Sequence, residues 1–467
     1  MNKFGKVSIR VIATVTLAFV TSLAIAQEEK APKRIMFANV NVFDGVSETL
    51  DMNTNVLVEN NLIKSVGASI TLPEGTEVID GSGRTLMPGL INSHTHLNMY
   101  GLASTYAGLQ SLQWSQIGAQ AAANARDQLL DGFTTIRDTC GMDDGLKNLI
   151  DQGVLVGPRI YTAGACISPT SGHGEARAPN QRKPGAAPSY IEELGLIEIT
   201  DTPDQVRAAS RRNFSNGAHF LKLMAGGGIS SVIDPLWSVA FTSEELESAV
   251  EAAEFYDTYV MVHAYTDRTV SMAIDAGVKV IDHGHMMTED TVKKLVEKGV
   301  FWTTNLSALD SSLLAHPNFG VDPVKSKLES FIDGSENLVA LIKKYKPKHV
   351  FGVDVVLSPT MLARNSRDFE KFKFANMFSN HAMLVAATST AGELAQLTGR
   401  RNPYPGKLGV IEEGAYADIL IVDGNPLEDI SAIGGNPKWF DAGPRDEGLE
   451  VLRVIMKDGV IYKNTLD

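Results

Sequence analysis

Apolar positions in residues 34–88 fall in short β-rich runs. Ile35-Met36-Phe37-Ala38-Asn39-Val40 and Asn55-Val56-Leu57-Val58 are broken by Asp-Gly and Asn-Asn turn pairs. The pattern returns near the other end, in Ala417-Asp418-Ile419-Leu420-Ile421-Val422 and Val451-Leu452-Arg453-Val454-Ile455-Met456. Each of these precedes a turn pair, Asp423-Gly424 and Asp458-Gly459. Two β-rich ends around a long middle predict one small β-sandwich domain built from both termini, residues 27–88 and 401–467.

The middle, residues 89–400, alternates differently. Eight strands are expected: Gly89–His96, Thr134–Asp138, Arg159–Ala163, Phe220–Met224, Tyr259–Ala264, Val278–His283, Phe301–Asn305 and Val350–Asp354. Helical patterns separate several of them. In the one from Ser243 to Phe255, Ser243 is the expected cap, and Leu246, Val250 and Ala253 mark an apolar stripe. This order fits an α/β fold, a (β/α)8 TIM-like barrel. A doubly wound nucleotide-binding sheet is disfavoured. Ala225-Gly226-Gly227-Gly228 lacks both the Lys-Ser/Thr of a P-loop and the spacing of a dinucleotide fingerprint.

Residues 1–26 read as a secretory signal peptide: basic Lys3 to Arg10, an apolar run from Val11 to Val20, and Ala24-Ile25-Ala26 before Gln27. Export is therefore expected, to a bacterial periplasm. No later segment has the roughly 18 unbroken apolar residues of a span, so the mature chain is expected to have none. The chain has 467 residues and a net charge of −13. Without the leader's Lys3, Lys6 and Arg10, 39 basic residues face 55 acidic ones, a net −16. Such a chain repels phosphate backbones, so no nucleic-acid partner is expected. The 2 cysteines, Cys140 and Cys166, cannot make a Cys-rich metal site, and whether they pair is open at this level.

The sharpest chemical signal is Ser93-His94-Thr95-His96. Strand side chains alternate, so His94 and His96 share a face, at the end of an apolar strand. Two neutral imidazoles on one face are half of a metal site. His263, His283 and Asp354 each end a separate apolar strand, where a barrel builds its active face. Lys222 sits inside Phe220-Leu221-Lys222-Leu223-Met224, where a bare ammonium is costly to bury.

Together these pieces resemble the amidohydrolase superfamily, in its binuclear subtype with a carboxylated lysine. The likeness is to the imidazolonepropionase-related, Xaa-Pro-dipeptidase-like branch that also holds ochratoxin-hydrolysing members. It is carried by Pro88-Gly89-Leu90-Ile91 with His94-Thr95-His96, and by Gly132 to Asp138. It continues in Lys222 with Gly226-Gly227-Gly228, His263-Ala264, His283-Gly284, Gly352-Val353-Asp354, and Gly409 to Asp418. The resemblance implies that His94, His96 and Asp354 hold one divalent metal ion and His263 and His283 a second, with zinc the expected metal by ligand type. Lys222, modified by carbon dioxide to a carbamate, would bridge them. Paired cations of this kind acidify a shared water and polarise a scissile carbonyl. Asp354 would then act as general base and acid. His285, two beyond His283, is the alternative second-metal ligand; His283 is preferred because the family has its His-Gly pair there. Relatives in this branch often assemble as homo-oligomers, which is the expectation for this chain.

The substrate side is thinner. Ser171-Gly172-His173-Gly174-Glu175 resembles a Gly-His-Gly element near the substrate in related proteins, so His173 is a candidate oxyanion or carboxylate donor. Tyr265 is a second lining candidate, and Arg177 and Arg268 are candidates for pairing with a substrate carboxylate. Arg137 and Asp138 are expected to form an ion pair at the barrel. The segment after His263, Ala264-Tyr265-Thr266-Asp267, lacks the Glu typical of single-metal deaminating relatives. The expected activity is hydrolysis of amide bonds in small molecules, dipeptides or N-acyl amino acids, with ochratoxin-type aryl amides included. The alternatives are another cyclic amide or lactone hydrolase on the same metal pair, or a secreted binding protein without catalysis.

Overall fold

In Arg34–Val42 (β1), Ile35, Phe37, Val40 and Val42 are buried beside more open neighbours, as in a strand with one packed face. The structure is a computed structural model and describes residues 32–103, 105–183, 187–316 and 318–466. The expected leader, 1–26, lies outside the described residues. β1 pairs with Asp51–Glu59 (β2), which turns through Asn60 (φ +56°) into Leu62–Gly67 (β3). Glu77–Asp80 (β4) and Thr85–Pro88 (β5) both pair with β1.

Ten strands follow in the middle of the chain. They are Leu90–Thr95 (β6), Phe133–Asp138 (β7), Arg159–Thr162 (β8), Cys166–Ser168 (β9), Ile197–Ile199 (β10), Leu221–Met224 (β11), Val260–Thr266 (β12), Val280–Met286 (β13), Phe301–Thr304 (β14) and Lys348–Phe351 (β15). Ile419–Val422 (β16), Leu452–Lys457 (β17) and Val460–Asn464 (β18) end the chain. β16 lies antiparallel to β5, with Ile421 opposite Leu86. One eight-stranded sheet thus joins both ends of the chain. Asp458 (φ +55°) and Gly459 (φ +70°) make the tight β17–β18 hairpin. Asp423-Gly424 does not. It opens a long connection, residues 423–451, before β17 pairs back with β16.

The middle strands run parallel, β6–β7–β8 in one sheet and β9–β11–β12–β13–β14–β15 in another, with β10 outside β9. All eight expected strands are present, and they form the TIM-like barrel. β9 and β10 were not anticipated. The third barrel strand is split at Gly164 (φ +70°): β8 bonds to β7, and β9 bonds to β11. Asn213 seals the break, accepting from Ala165 N–H at 3.1 Å and donating to its carbonyl at 2.7 Å. The barrel closes where Val353 N–H donates to the His94 carbonyl at 3.1 Å and to Asn92 Oδ1 at 3.0 Å. Parallel strands place their C-terminal ends on one rim, so the residues that end them converge there.

Helices cover the outside, among them Trp114–Leu130 (α1), Ser243–Glu254 (α2), Asp267–Asp275 (α3) and Thr360–Met377 (α4). Two local expectations are corrected. The cap of α2 is Thr242, not Ser243: Thr242 is extended, its Oγ1 accepts from Glu245 N–H at 3.3 Å, and Glu245 accepts from Thr242 N–H at 2.8 Å. Arg137 and Asp138 do not pair, because strand neighbours face opposite ways. Asp138 accepts from Leu97 N–H at 2.7 Å, while the Arg137 guanidinium lies 4.7 Å from the Phe220 ring centre. Among the described residues no helix is long and apolar enough to cross a membrane.

Gly352 marks how tightly β15 seats against β6. A Cβ there would lie 2.8 Å from His94 Cβ and 2.7 Å from Thr303 Cγ2. Gly352→Ala is expected to cost about 1–3 kcal/mol by overpacking, read as a lower urea midpoint. A wild-type midpoint would show that the closure tolerates a side chain.

Candidate metal centre

Strand alternation carries His94 and His96 to the same side of β6, and their Nε2 atoms are 3.1 Å apart. Asp354, just past β15, brings Oδ1 to 3.5 Å from His94 Nε2 and 3.2 Å from His96 Nε2. The ligand atoms of these three residues all lie within 4.8 Å of one another. His263, in β12, and His283, in β13, face each other with ring centres 4.6 Å apart, and His283 Nε2 is 3.7 Å from Asp354 Oδ2. Lys222 is buried in β11 and lines the same small cavity as His94, His96, His263, His283 and Asp354. All six residues singled out in the sequence therefore meet at the barrel rim.

His283 takes a backbone conformation rare for a histidine, φ +76°, and Gly284 follows at φ +59°. Such a residue costs on the order of 1–3 kcal/mol and persists only when its surroundings hold it. The Trp302 indole N–H donates to the His283 carbonyl at 2.5 Å, and a Cβ on Gly284 would lie 2.8 Å from that nitrogen. The turn breaks strand alternation, so consecutive residues of β13 both reach His94. Asp282 Oδ2 is 3.2 Å from His94 Nδ1, and the His94 and His283 rings are 5.4 Å apart. The same Asp282 oxygen pairs with the Lys222 ammonium. A carboxylate on Nδ1 fixes the ring and leaves Nε2 to a cation. Asp282 was missed in the sequence. Its signal was the one that marked Lys222, a charged residue inside an apolar strand.

The electrostatics suit ligation. Burial pushes His94 below the usual histidine range and His263 and His283 well below it, favouring the neutral form that binds metals. Partial burial opposes ionisation of Asp354, but His94, His96 and His283 around it hold its carboxyl well below the usual range. His96 Nδ1, His283 Nε2 and Asp354 Oδ1 are buried without a hydrogen-bond partner among the described residues. Neutral imidazoles, a carboxylate and orphaned ligand atoms fit divalent cations, zinc among them. His285 is not part of this set. It is turned toward the Asn305 carbonyl, 3.3 Å away, and packs on Phe331.

His173 stacks flat on His263, with ring centres 4.3 Å apart. Its Nδ1 is 2.9 Å from Ser231 Oγ and 3.3 Å from Asp234 Oδ2, and Asp234 accepts from Gly228 N–H at 2.6 Å. Asp234 was also missed. It lies in a loop whose fold was not legible. The Gly run now has a reason: a Cβ on Gly228 would fall 1.9 Å from His173 Cε1, and one on Gly227 1.9 Å from the Pro235 carbonyl oxygen. Tyr265 packs against His283 at 4.8 Å and lines the adjoining space.

Two expected carboxylate partners are corrected. Arg177 is committed within its own loop, donating to Glu175 at 2.9 Å from Nε and 2.5 Å from Nη2. Arg268 is exposed on α3 and lines none of the described cavities near the rim. Cys140 and Cys166 form a disulfide, with Cα atoms 4.8 Å apart, beside the cavity.

Asp282→Asn removes the carboxylate that fixes the His94 ring through Nδ1. Metal affinity is expected to fall about 10–100-fold, measured by competition with a chromophoric chelator. Unchanged affinity would remove Asp282 from the centre.

Comparison with known proteins agrees with this geometry. Residues 85–449 match the profile of the amidohydrolase family. Ochratoxinase of Aspergillus niger is 28% identical over 425 residues, covering 87% of this chain and 85% of the relative. A prolidase solved with N-methylphosphonate-L-proline has a TM-score of 0.80 at 27% identity, over 93% of this chain and 100% of that one. A Xaa-Pro dipeptidase with methionine bound in its active site has a TM-score of 0.76 at 26% identity, over 92% of this chain and 100% of that one.

Proposed function

The chain belongs to the amidohydrolase family and is a hydrolase of amide or peptide bonds, and from that premise we propose that it is an exported enzyme with two divalent cations. Its substrates are dipeptides or N-acyl amino acids, the class that includes ochratoxin-type amides and Xaa-Pro dipeptides. The observation that carries the reading is the meeting of six ligand-type side chains in one cavity at the barrel rim.

His94, His96 and Asp354 would hold one cation, and His263 and His283 the other. Lys222, carboxylated, would lie between them: it lines this cavity, and as a carbamate it would offer oxygen donors where an ammonium would repel the cations. Cations bound there supply an activated water and a polarised carbonyl. The chain's own groups do the rest. Asp354, ionised and 22% exposed, is placed to take a proton and return it to the leaving nitrogen. His173, fixed from behind by Ser231 and Asp234, is placed to donate to the carbonyl oxygen or a substrate carboxylate. Asp282 positions His94. Export is supported by the leader pattern and by the Cys140–Cys166 disulfide, a bond that persists in oxidising compartments. Homo-oligomerisation remains part of the proposal through the resemblance alone.

A library of dipeptides and N-acyl amino acids, assayed by free-amine release, tests the reading. Turnover of at least one series, lost on chelation and restored by zinc, manganese or cobalt, is expected. No turnover of any member by metal-loaded protein would sink it. Asp354→Asn should keep the fold and lower kcat by about 10²–10⁴; wild-type kcat would refute its role in proton transfer. Lys222→Ala should lose bound metal, with partial rescue by small carboxylic acids. Full metal retention without them would argue against the bridging carbamate.

A further inference from the structure

Glu370, in the middle of α4, is a fully buried carboxylate that the reaction above does not use. Burying a carboxylate away from a paired cation is costly, and here burial pushes the carboxyl up to about 7. The cation that bears on it, Lys373, is itself bound to Asp310 at 3.1 Å. What Glu370 holds is backbone. Its Oε1 accepts from Leu306 N–H and its Oε2 from Ser307 N–H, both at 2.7 Å. These are the first two N–H groups of a single 3₁₀ turn, Leu306–Leu309, and groups at that place have no partner within their own turn. A carboxylate satisfies both at once. An amide of the same shape would set one of its own donors against one of theirs.

The turn that Glu370 grips leads into the site. Asn305, the residue before the turn, follows β14. Its Oδ1 accepts from Ser307 Oγ at 2.8 Å, so the same turn fixes its side chain. Its Nδ2 donates to the Asp354 carbonyl at 3.3 Å. Asp354 lies past the end of β15, where the Asn305 amide rather than a neighbouring strand holds that carbonyl. Asn305 and Ser307 also wall a chamber that shares His173, His263 and Asp354 with the metal cavity. The chain of contacts thus runs from the interior of α4 to the backbone of the residue assigned to proton transfer.

We propose that Glu370 is a positioning residue for Asp354: acting through the Leu306–Leu309 turn and the Asn305 amide, it sets where the Asp354 carboxylate stands at the rim. This rests on the metal-centre and amide-hydrolase reading above and deepens it. Groups that orient a ligating carboxylate tune its metal, and a base displaced by a fraction of an ångström loses rate.

The test loads the full chain with cobalt(II), whose visible bands report ligand geometry, and uses the library amide that the wild type cleaves best. Glu370→Gln is expected to lower kcat about 10–100-fold with KM changed by less than about threefold, and to move the cobalt bands. Asn305→Ala breaks the same chain of contacts at its other end and should do the same. The double variant should be no slower than the slower single, because both remove one link. A loss of folded protein scales the bands down without moving them, so a moved band separates positioning from mere stability. Should Glu370→Gln fail to fold, Asn305→Ala decides by the same readouts. Unmoved bands in the variants that fold, a change confined to KM, or losses that multiply in the double variant each overturn the proposal. If the wild type cleaves no amide, the amide reading fails on its own and the cobalt bands still decide the role of Glu370. A chain that takes up no cobalt overturns the metal centre and this role with it.

Discussion

A charged amine buried in an apolar strand cannot stand alone, and the rim of this barrel is organised around that constraint. Desolvation of the Lys222 ammonium costs several kcal/mol unless an anion is held against it. Asp282 is that anion, and the same oxygen reaches His94. Bringing Asp282 and His283 to the same place from one strand requires the left-handed turn at His283, and Trp302 holds that turn. The strained backbone, the buried ion pair and the orphaned imidazole nitrogens are thus one feature seen from three sides. The strained backbone and the orphaned imidazole nitrogens are unfavourable in an empty apolar barrel, and the proposed cations would offset both, with the Lys222 ammonium giving way to its carbamate.

The disulfide and the glycine run serve the next layer out. Cys140–Cys166 ties the loop after β7 to β9, the half-strand that leads into the His173 loop. Gly227 and Gly228 let the following loop pass close enough for Ser231 and Asp234 to stand behind His173. Residues 423–451 then leave the terminal sheet to reach across the barrel mouth. The connection between two strands of the sheet built from both termini therefore also supplies Trp439 and Phe440 to the wall of the cavity beside His263 and Asp354.

Much of this was legible in the sequence. His94 and His96 announced themselves through strand alternation, and His263, His283 and Asp354 through their place at the ends of apolar runs. Those patterns are local, and local periodicity survives folding. The eight strands were legible for the same reason. The break at Gly164 was not, because one glycine in a short strand looks like any other until its neighbour's hydrogen bonds are known. Asp282 was hidden by the rule that made His94 and His96 visible: alternation sets it opposite His283, and only the positive φ overrides this. Arg177 and Arg268 were judged by charge alone, whereas their roles depend on Glu175 and on exposure. Trp439 and Phe440 lie some 340 residues beyond His96 in a segment with no periodic pattern, so only the tertiary fold brings them to the site.

The central claim is that these six side chains form a binuclear centre. It is tested most directly by the metal content of the purified full chain, measured by inductively coupled plasma mass spectrometry after dialysis against metal-free buffer. The account predicts close to two divalent ions per chain. An active preparation with a content near zero would contradict it.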